Sequence, residues 1–286
     1  SNGTDRDLDH FIKIANSTPN SIIVDVTSSE EIANITPDLI QRGISVVTAS
    51  KLANSKSQNF YNSLRKNTQN KKGFFKYGAN VGAGLPIIET LQNLIATGDE
   101  IIKIEGIMSG TLSFLFSQFD GSIPFSKLVS QARKNGFTEP DPRDDLNGVD
   151  VARKILILAR ETKASLELED IPIESLIPKN LDDNLSIEDF LIKFSEFDND
   201  FFNKYQKANK ENKVLRYIAS WDGKNAKVGL RSVGKDNPFY YQSGRENFIV
   251  FKTKRYFDIP LVIKGHGAGA EVTAAAVLGD IISCKN

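Results

Sequence analysis

With 286 residues, the chain is long enough to bury one large or two modest hydrophobic cores, so two domains are expected. Lysine plus arginine and aspartate plus glutamate both number 36, and this balance excludes a strong net field that would attract nucleic acid or an anionic membrane. The lone Cys284 excludes a disulfide framework, no apolar run approaches the roughly 20 residues of a membrane span, and the N-terminus lacks a signal-peptide pattern, so a cytoplasmic protein is predicted.

The first part of the chain alternates short β-branched runs with helical patterns. Strands are predicted at residues 21–27, 44–48 and 73–77, with an amphipathic helix at 55–67. Thr36 and Pro37 predict the start of another helix, as N-cap and first helical residue, and Gly43 predicts its end. This order predicts right-handed parallel crossovers, and hence part of a doubly wound, Rossmann-like sheet.

The glycine fingerprint of dinucleotide-binding domains is incomplete. In such domains G-x-G-x-x-G follows the first strand and opens the first helix. Gly82-Ala83-Gly84 is followed by Leu-Pro-Ile, and Gly267-Ala268-Gly269 by Ala-Glu-Val, so neither run completes the spacing. We therefore expect the doubly wound domain to be truncated.

The rest of the chain predicts an α+β domain. Helices are expected from Pro86 to Gly98, over 111–119, from a cap at Ser126 to 135, and after Ser186, which begins an S-x-x-D start. Strands are expected at 100–107, 213–221, 226–233, 247–256 and 260–264, with Asp222-Gly223 as a hairpin turn. Together these strands predict one broad, mostly antiparallel sheet.

Residues 136–154 concentrate charge between these elements. This stretch contains five carboxylates and three cations: Glu139, Asp141, Asp144, Asp145, Asp150, Arg143, Arg153 and Lys154. Pro140 and Pro142 predict an irregular first half, and a helix is expected from about Asn147. On that helix Asp150 and Lys154 share a face. They form either an ordinary exposed ion pair or, because the helix is apolar on most sides, a buried lysine suited to proton transfer.

Four motifs, in order, resemble those of homoserine dehydrogenases. They are NVGAGLP at 80–86, GIMSGTLS at 106–113, GFTEPDPRDDLNGVDVARK at 136–154 and GAGAEVTA at 267–274. The resemblance extends from about Ile22 to the C-terminus, and the run after Arg153 is especially similar to bifunctional aspartokinase–homoserine dehydrogenases. It implies that this sequence begins after the family's first strands and that a kinase domain precedes it in the full-length chain.

The resemblance also implies a reaction and roles for site residues. Homoserine dehydrogenases move a hydride between the nicotinamide of NADP or NAD and C4 of aspartate semialdehyde or homoserine. Lys154 matches the acid/base lysine, and Lys51 matches a second lysine shared by the catalytic and cofactor sites. Glu139 and Asp150 match carboxylates that hold the substrate. Asp145, with Asp144, either orients this group or caps the following helix.

Further matches concern the substrate, the cofactor and a cation. Gly110 and Thr111 match substrate contacts, and Phe137 replaces a tyrosine found in some members. Thr27, Ser28 and Gly269 match cofactor contacts, although the glycine-rich turn that contains Gly269 is equally compatible with close packing alone. The carbonyls of Gly78, Val81, Ala83 and Leu85 match a loop that binds Na⁺. Gly78 stands where that loop often has glutamate.

The predicted organisation is therefore a truncated NAD(P)-binding domain at 1–77, to which 265–286 return, and a catalytic and dimerisation domain at 78–264. The expected partners are the small-molecule substrate and a second copy of the chain, with no nucleic acid and no membrane. Two alternatives remain: a catalytically inactive dimerising fragment of the same enzyme, or a dehydrogenase acting on a different amino-acid semialdehyde.

Overall fold

A computed structural model describes residues 7–69, 73–181 and 184–284. The first unit contains a parallel sheet in the order β1-β2-β3, in which Val24 pairs with Val47 and Val46 with Phe75. The crossovers predicted from the sequence are present. The elements of this unit are α1 (Leu8–Ser17), β1 (Ile22–Asp25), α2 (Glu30–Gln41), β2 (Ser45–Thr48), α3 (Leu52–Ser55), α4 (Gln58–Gln69) and β3 (Phe75–Lys76).

Helix α2 begins earlier than the sequence indicated. Ser29 is its N-cap, and the Ser29 hydroxyl accepts the N–H of Ile32. Two glutamates in the first turn favour this start through the helix dipole. The prediction that Thr36 and Pro37 begin the helix was therefore wrong, because Pro37 lies inside it and is tolerated there.

The second unit contains an antiparallel sheet in the order β6-β5-β4-β7-β8. The fold class predicted from the sequence, a Rossmann-like parallel unit joined to an α+β unit with a mostly antiparallel sheet, is confirmed. The elements that follow β3 in the chain are α5 (Ile87–Ala96), β4 (Ile101–Ile107), α6 (Gly110–Gln118), α7 (Phe125–Lys134), α8 (Arg143–Leu146), α9 (Val149–Glu161), α10 (Ile187–Phe194), α11 (Asp198–Lys210), β5 (Val214–Trp221), β6 (Ala226–Val233), β7 (Glu246–Thr253), β8 (Leu261–His266) and α12 (Ala270–Ser283).

Two local details of this unit differ from the sequence prediction. Ser126 does not cap α7, which begins one residue earlier; instead Asp198 accepts both the N–H and the hydroxyl of Ser126. The stretch after Pro142 was expected to be irregular, but it forms the single turn α8. Proline without its N–H is well accommodated at a helix start, so the turn forms directly behind it.

Helix α9 is the buried centre of the second unit. Its residues from Ile155 to Ala159 are all inaccessible to solvent. The helix contacts β4, β5 and β6 on one side and α3 and α5 on the others. Because α9 is packed on several sides, its position is fixed. The charged side chains near its start, Asp150 and Lys154, are therefore held in place as well.

Helix α12 packs on the first unit. Val277 joins Val47 and Ala79 in one small apolar cluster, and Asp280 accepts the N–H of Gly78 at 2.8 Å. These contacts support the predicted return of residues 265–286 to the NAD(P)-binding domain, and the domain limits themselves remain a prediction. Within the described ranges, no helix is long and apolar enough to cross a membrane.

Gly148 permits α8 and α9 to join at the observed angle. It is left-handed (φ 76°), and a Cβ there would lie 2.1 Å from the hydroxyl of Tyr217, which donates to the carbonyl of Glu174. Gly136 is also left-handed (φ 67°) but has open space around it.

These two glycines give a matched pair of variants. Gly136→Ala is expected to cost about 1 kcal/mol of folding free energy through backbone strain alone. Gly148→Ala adds a clash with Tyr217, expected to cost about 1–3 kcal/mol more. Denaturant unfolding of both variants measures the difference, and equal losses would show that the Tyr217 contact does not constrain Gly148.

Candidate active site

One carboxylate binds two lysines at the start of α9. The Asp150 carboxylate lies 2.8 Å from Lys154 Nζ through one oxygen and 3.1 Å from Lys51 Nζ through the other. Lys154 Nζ also donates to the carbonyl of Met108 at 2.7 Å. The Lys154 side chain is only 12% exposed, so its ammonium depends on these two acceptors rather than on water.

Lys51 reaches this cluster from the first unit, directly after β2. The turn that carries it is fixed by buried amides: Asn80 donates to the carbonyl of Thr48, and Asn54 donates to the Asn80 side chain. The carboxyl ends of parallel strands are where open α/β sheets bind ligands. The lysine pair therefore connects the ligand-binding edge of the parallel sheet with the central helix of the second unit.

Asp150 stays ionised in this setting. Burial raises the pKa of its carboxyl, but the charges of Lys154 and Lys51, and hydrogen bonds from both ammonium groups, outweigh burial and hold the pKa well below its usual range. The negative charge of Asp150 lies between the ammonium groups of Lys51 and Lys154 and attracts both. The two ammonium groups therefore lie close enough together to contact one substrate.

The cluster opens into a cleft of about 770 Å³ between the two units. Its walls come from the strand ends of the parallel sheet, the stretch 139–154 and residues 267–269 of the glycine-rich turn. Eight of the residues predicted for the site or its cation loop line it: Ser28, Lys51, Ala83, Glu139, Asp145, Asp150, Lys154 and Gly269.

Asp145 lies on the acidic wall of the cleft without a cation of its own among its described hydrogen-bond and ion-pair contacts. Its carboxylate accepts the N–H of Glu139 at 2.8 Å. Burial raises the pKa of Asp145; the Glu139 N–H and the Thr111 hydroxyl oppose that rise, and the carboxylates of Glu139 and Asp150 add to it. At the start of α9 the N-cap position is Gly148, and the Asn147 side chain accepts the N–H of Val149. Asp145 thus offers an acceptor suited to an ammonium group.

Asp145→Asn is expected to stabilise the fold at neutral pH. The folded-state pKa is raised, so Asp145 favours folding when protonated, below its unfolded pKa of about 3.9, and that advantage is lost as pH rises through the folded pKa. Asparagine does not ionise, so the variant's gain in thermal stability should be largest near pH 7 and vanish below about pH 4. Thermal melts across this range measure it, and a gain that grows toward acid would contradict the assignment.

The remaining predicted residues lie around the cleft rather than in its wall. Thr111 donates to the carbonyl of Phe137 at 2.7 Å, and Gly110 begins the same helix, α6. Thr27 is exposed, and its hydroxyl donates to Asp25. Gly78 and Leu85 line a neighbouring cleft, and Val81 is fully buried.

Sequence reasoning missed three contributors. The carbonyl of Met108, which holds Lys154, has no side-chain signal because any residue supplies a carbonyl. Asn80 is fully buried under the Lys51 turn, and its position within a recognised motif could have indicated it. Arg153 lines the cleft next to Lys154.

Known proteins resemble this chain over most of its length. Residues 86–282 match the homoserine dehydrogenase family model, and residues 3–77 match the model for the NAD-binding domain of homoserine dehydrogenase. A homoserine dehydrogenase from Schizosaccharomyces pombe is 45% identical, over 94% of this chain and 74% of its own length. The bifunctional aspartokinase/homoserine dehydrogenase 2, chloroplastic, of Arabidopsis thaliana is 46% identical over 98% of this chain. The chain spans only 31% of that relative's length.

Solved structures share the fold of this chain. A Candida auris protein described as of unknown function superposes with a TM-score of 0.93 at 40% identity, covering 99% of this chain and 81% of its own. A hyperthermophilic archaeal homoserine dehydrogenase in complex with NADPH has a TM-score of 0.72 at 23% identity, over 96% of this chain and 74% of its own, and shows the shared fold. From the family-model match and the fission-yeast relative together, this chain belongs to the homoserine dehydrogenase family.

Proposed function

We propose that the protein containing this chain interconverts L-aspartate 4-semialdehyde and L-homoserine with NADPH or NADH, a step in threonine and methionine biosynthesis. The observation that carries the proposal is the Asp150 carboxylate, which holds Lys51 and Lys154 together at the mouth of a cleft between the units. Such a cleft accepts a substrate with a reducible carbonyl, and Lys154 supplies the proton.

Lys154 is the proposed proton donor to the carbonyl oxygen. Its ammonium is mostly buried and hydrogen-bonded to Met108 and Asp150, so it is fixed in position when the substrate arrives. In the reverse direction the neutral amine takes the hydroxyl proton of homoserine. Lys51 adds a second positive charge where negative charge develops on oxygen.

The acidic wall is proposed to bind the substrate's ammonium group. Glu139 and Asp145 provide carboxylate oxygens in the cleft, and the Glu139 N–H fixes their relative positions by donating to Asp145. Gly110 and Thr111, at the start of α6, are proposed to contact the rest of the amino-acid moiety with main-chain and side-chain groups.

The cleft fits a dinucleotide. It lies between strand ends of a parallel sheet and a glycine-rich turn, and α12 begins after Gly269 (φ 137°) without a side-chain cap on its first N–H groups. Thr27, Ser28, Lys51 and Gly269 are the residues proposed to hold NADP or NAD. When bound, the nicotinamide supplies the hydride for the carbonyl carbon.

A sodium ion is proposed at the loop of residues 78–85. Within the described ranges, no group of three or more His, Cys, Asp or Glu side chains could hold a metal, so a cation here would rely on the carbonyls of Gly78, Val81, Ala83 and Leu85. Ala83 (φ 51°) is left-handed, which turns the loop sharply. The carboxylate of Asp280 lies 3.2 Å from where a Gly78 Cβ would be, and so supplies negative charge where relatives often have glutamate.

A second copy of the chain and a kinase domain are the proposed partners. Ile107, Ile218, Phe248 and Val250 form an apolar cluster separate from the main core, on the sheet face opposite α9. These side chains are themselves buried, but Val262, which pairs with Val250 across β7 and β8, is 42% exposed on the same face, and this exposed apolar residue supports a homodimer through this face. Coverage of only 31% of a bifunctional relative supports an aspartokinase domain in the same full-length chain.

The single free Cys284 supports the predicted cytoplasmic location.

The test is an assay of the full-length protein. Purified protein is expected to oxidise NADPH or NADH in the presence of aspartate semialdehyde and to reduce NADP or NAD with homoserine. Replacing Na⁺ with choline is expected to lower the rate, and size-exclusion chromatography should show a dimer. Absence of turnover with both cofactors, from protein that is folded by circular dichroism, would refute the proposed function.

A further inference from the structure

Asn247 is a buried amide without a partner. The residue is 1% exposed, and neither its Nδ2 nor its Oδ1 has a hydrogen-bond partner among the described residues. Leaving an amide unpaired at this depth destabilises the folded state. Asn54, which is buried as deeply, pairs both ends of its amide. Among the described residues, Trp221 and Gln242 each leave one buried polar atom unpaired, whereas Asn247 leaves two, and this requires a physical reason.

Its amide lies directly under the glycine-rich turn. Asn247 pairs with Gly265 across β7 and β8, and a Cβ on Gly267 would lie 1.8 Å from Asn247 Nδ2. Only a residue without a side chain can therefore occupy position 267. Asn247 shares a sheet face with Ile249 and Phe251, whose side chains belong to the main core with α9. Gly267 and Gly269 line the cleft on the other side of this contact.

The same segment lies against the lysine site. Phe248 pairs with Ile107 on β4, which places Asn247 opposite Met108, the residue whose carbonyl holds Lys154. One residue earlier, the carbonyl of Glu246 accepts the hydroxyl of Ser113 on α6. Asn247 thus contacts Gly267 in the cofactor wall of the cleft. On the neighbouring strand it lies opposite Met108, which holds the proposed proton donor Lys154.

We infer that Asn247 is a positioning residue for the cofactor. When a dinucleotide occupies the cleft, the turn at 265–269 moves so that its main-chain groups form hydrogen bonds with the Asn247 amide. Without the dinucleotide the amide stays unpaired, which leaves its donor and its acceptor available for those bonds. The inference rests on the proposed function, because it assigns the occupant of the cleft as NADPH.

Asn247→Leu in the full-length protein is the decisive variant, because leucine has nearly the shape of asparagine without its polar atoms. Removing an unpaired buried amide is expected to leave the melting temperature unchanged or raised. The dissociation constant for NADPH, measured by fluorescence titration, is expected to rise about tenfold, as for one lost hydrogen bond. The KM for aspartate semialdehyde is expected to change less than twofold. Loss of a purely structural residue would lower the melting temperature and would not weaken NADPH binding while leaving the KM for the semialdehyde unchanged.

Two controls separate the outcomes. Asn54→Leu removes a paired buried amide, so it is expected to lower the melting temperature. In the wild-type protein, NADPH is expected to slow hydrogen exchange of the main-chain amides at 267–269, a readout that needs no variant to fold. Unchanged exchange in the wild type, or unchanged NADPH affinity in a folded Asn247→Leu, would overturn the inference alone. Failure of the wild type to bind either NADPH or NADH would overturn both this inference and the proposed function.

Discussion

Lys154→Met in the full-length protein is expected to lower kcat by about 10²–10⁴. Methionine retains the aliphatic packing of a side chain that is 12% exposed, but it removes the proton donor bonded to Met108 and Asp150. The dissociation constant for NADPH is expected to change little, because Lys51 stays bound to Asp150. Steady-state kinetics and cofactor titration measure the two effects separately.

The matched control for this variant is Lys134→Met, an exposed lysine at the end of α7. It is expected to keep the wild-type kcat. Turnover by Lys154→Met within a factor of two of the wild type would exclude the proton-donor role and leave Asp150–Lys154 as a structural ion pair.

Asp150→Asn is expected to reduce kcat/KM by about 10²–10³, the second largest effect. Asparagine keeps the shape but leaves two ammonium groups close together without the charge between them, so they repel each other and Lys154 moves from Met108. Both kcat and the KM for the semialdehyde should be affected.

The pH dependence of folding provides a second measurement for Asp150. Its folded pKa is depressed, so the carboxylate contributes stability above the unfolded pKa of about 3.9, and the contribution is lost as pH falls through the folded pKa. The wild type should therefore lose its stability advantage over Asp150→Asn only below about pH 4. Glu188→Gln, which breaks an exposed ion pair with Arg133, is the control. It should change neither the pH dependence of folding stability nor the activity. An advantage that disappears near neutral pH would contradict the predicted ionisation of Asp150.

Much of the fold was predictable because it follows from local periodicity. The β-branched runs predicted β1 and β2, and the Asp222-Gly223 turn predicted the β5–β6 hairpin. The Ser186 start of α10 was also confirmed, since its hydroxyl accepts the N–H of Asp189. One local prediction was wrong. Thr36 and Pro37 predicted a helix start, whereas the helix begins after its N-cap at Ser29.

The sequence by itself determined that Asp150 and Lys154 meet, because residues four apart on a helix share a face wherever that helix lies. It also determined the family, through motifs whose residue types are specific. Only the tertiary structure decided that Lys51 and Lys154 bind different oxygens of Asp150, that the Met108 carbonyl holds Lys154, and that Asn247 lies under Gly267. Such contacts join segments far apart in the chain, and their distances depend on how whole helices and sheets pack, which no local pattern of residues encodes.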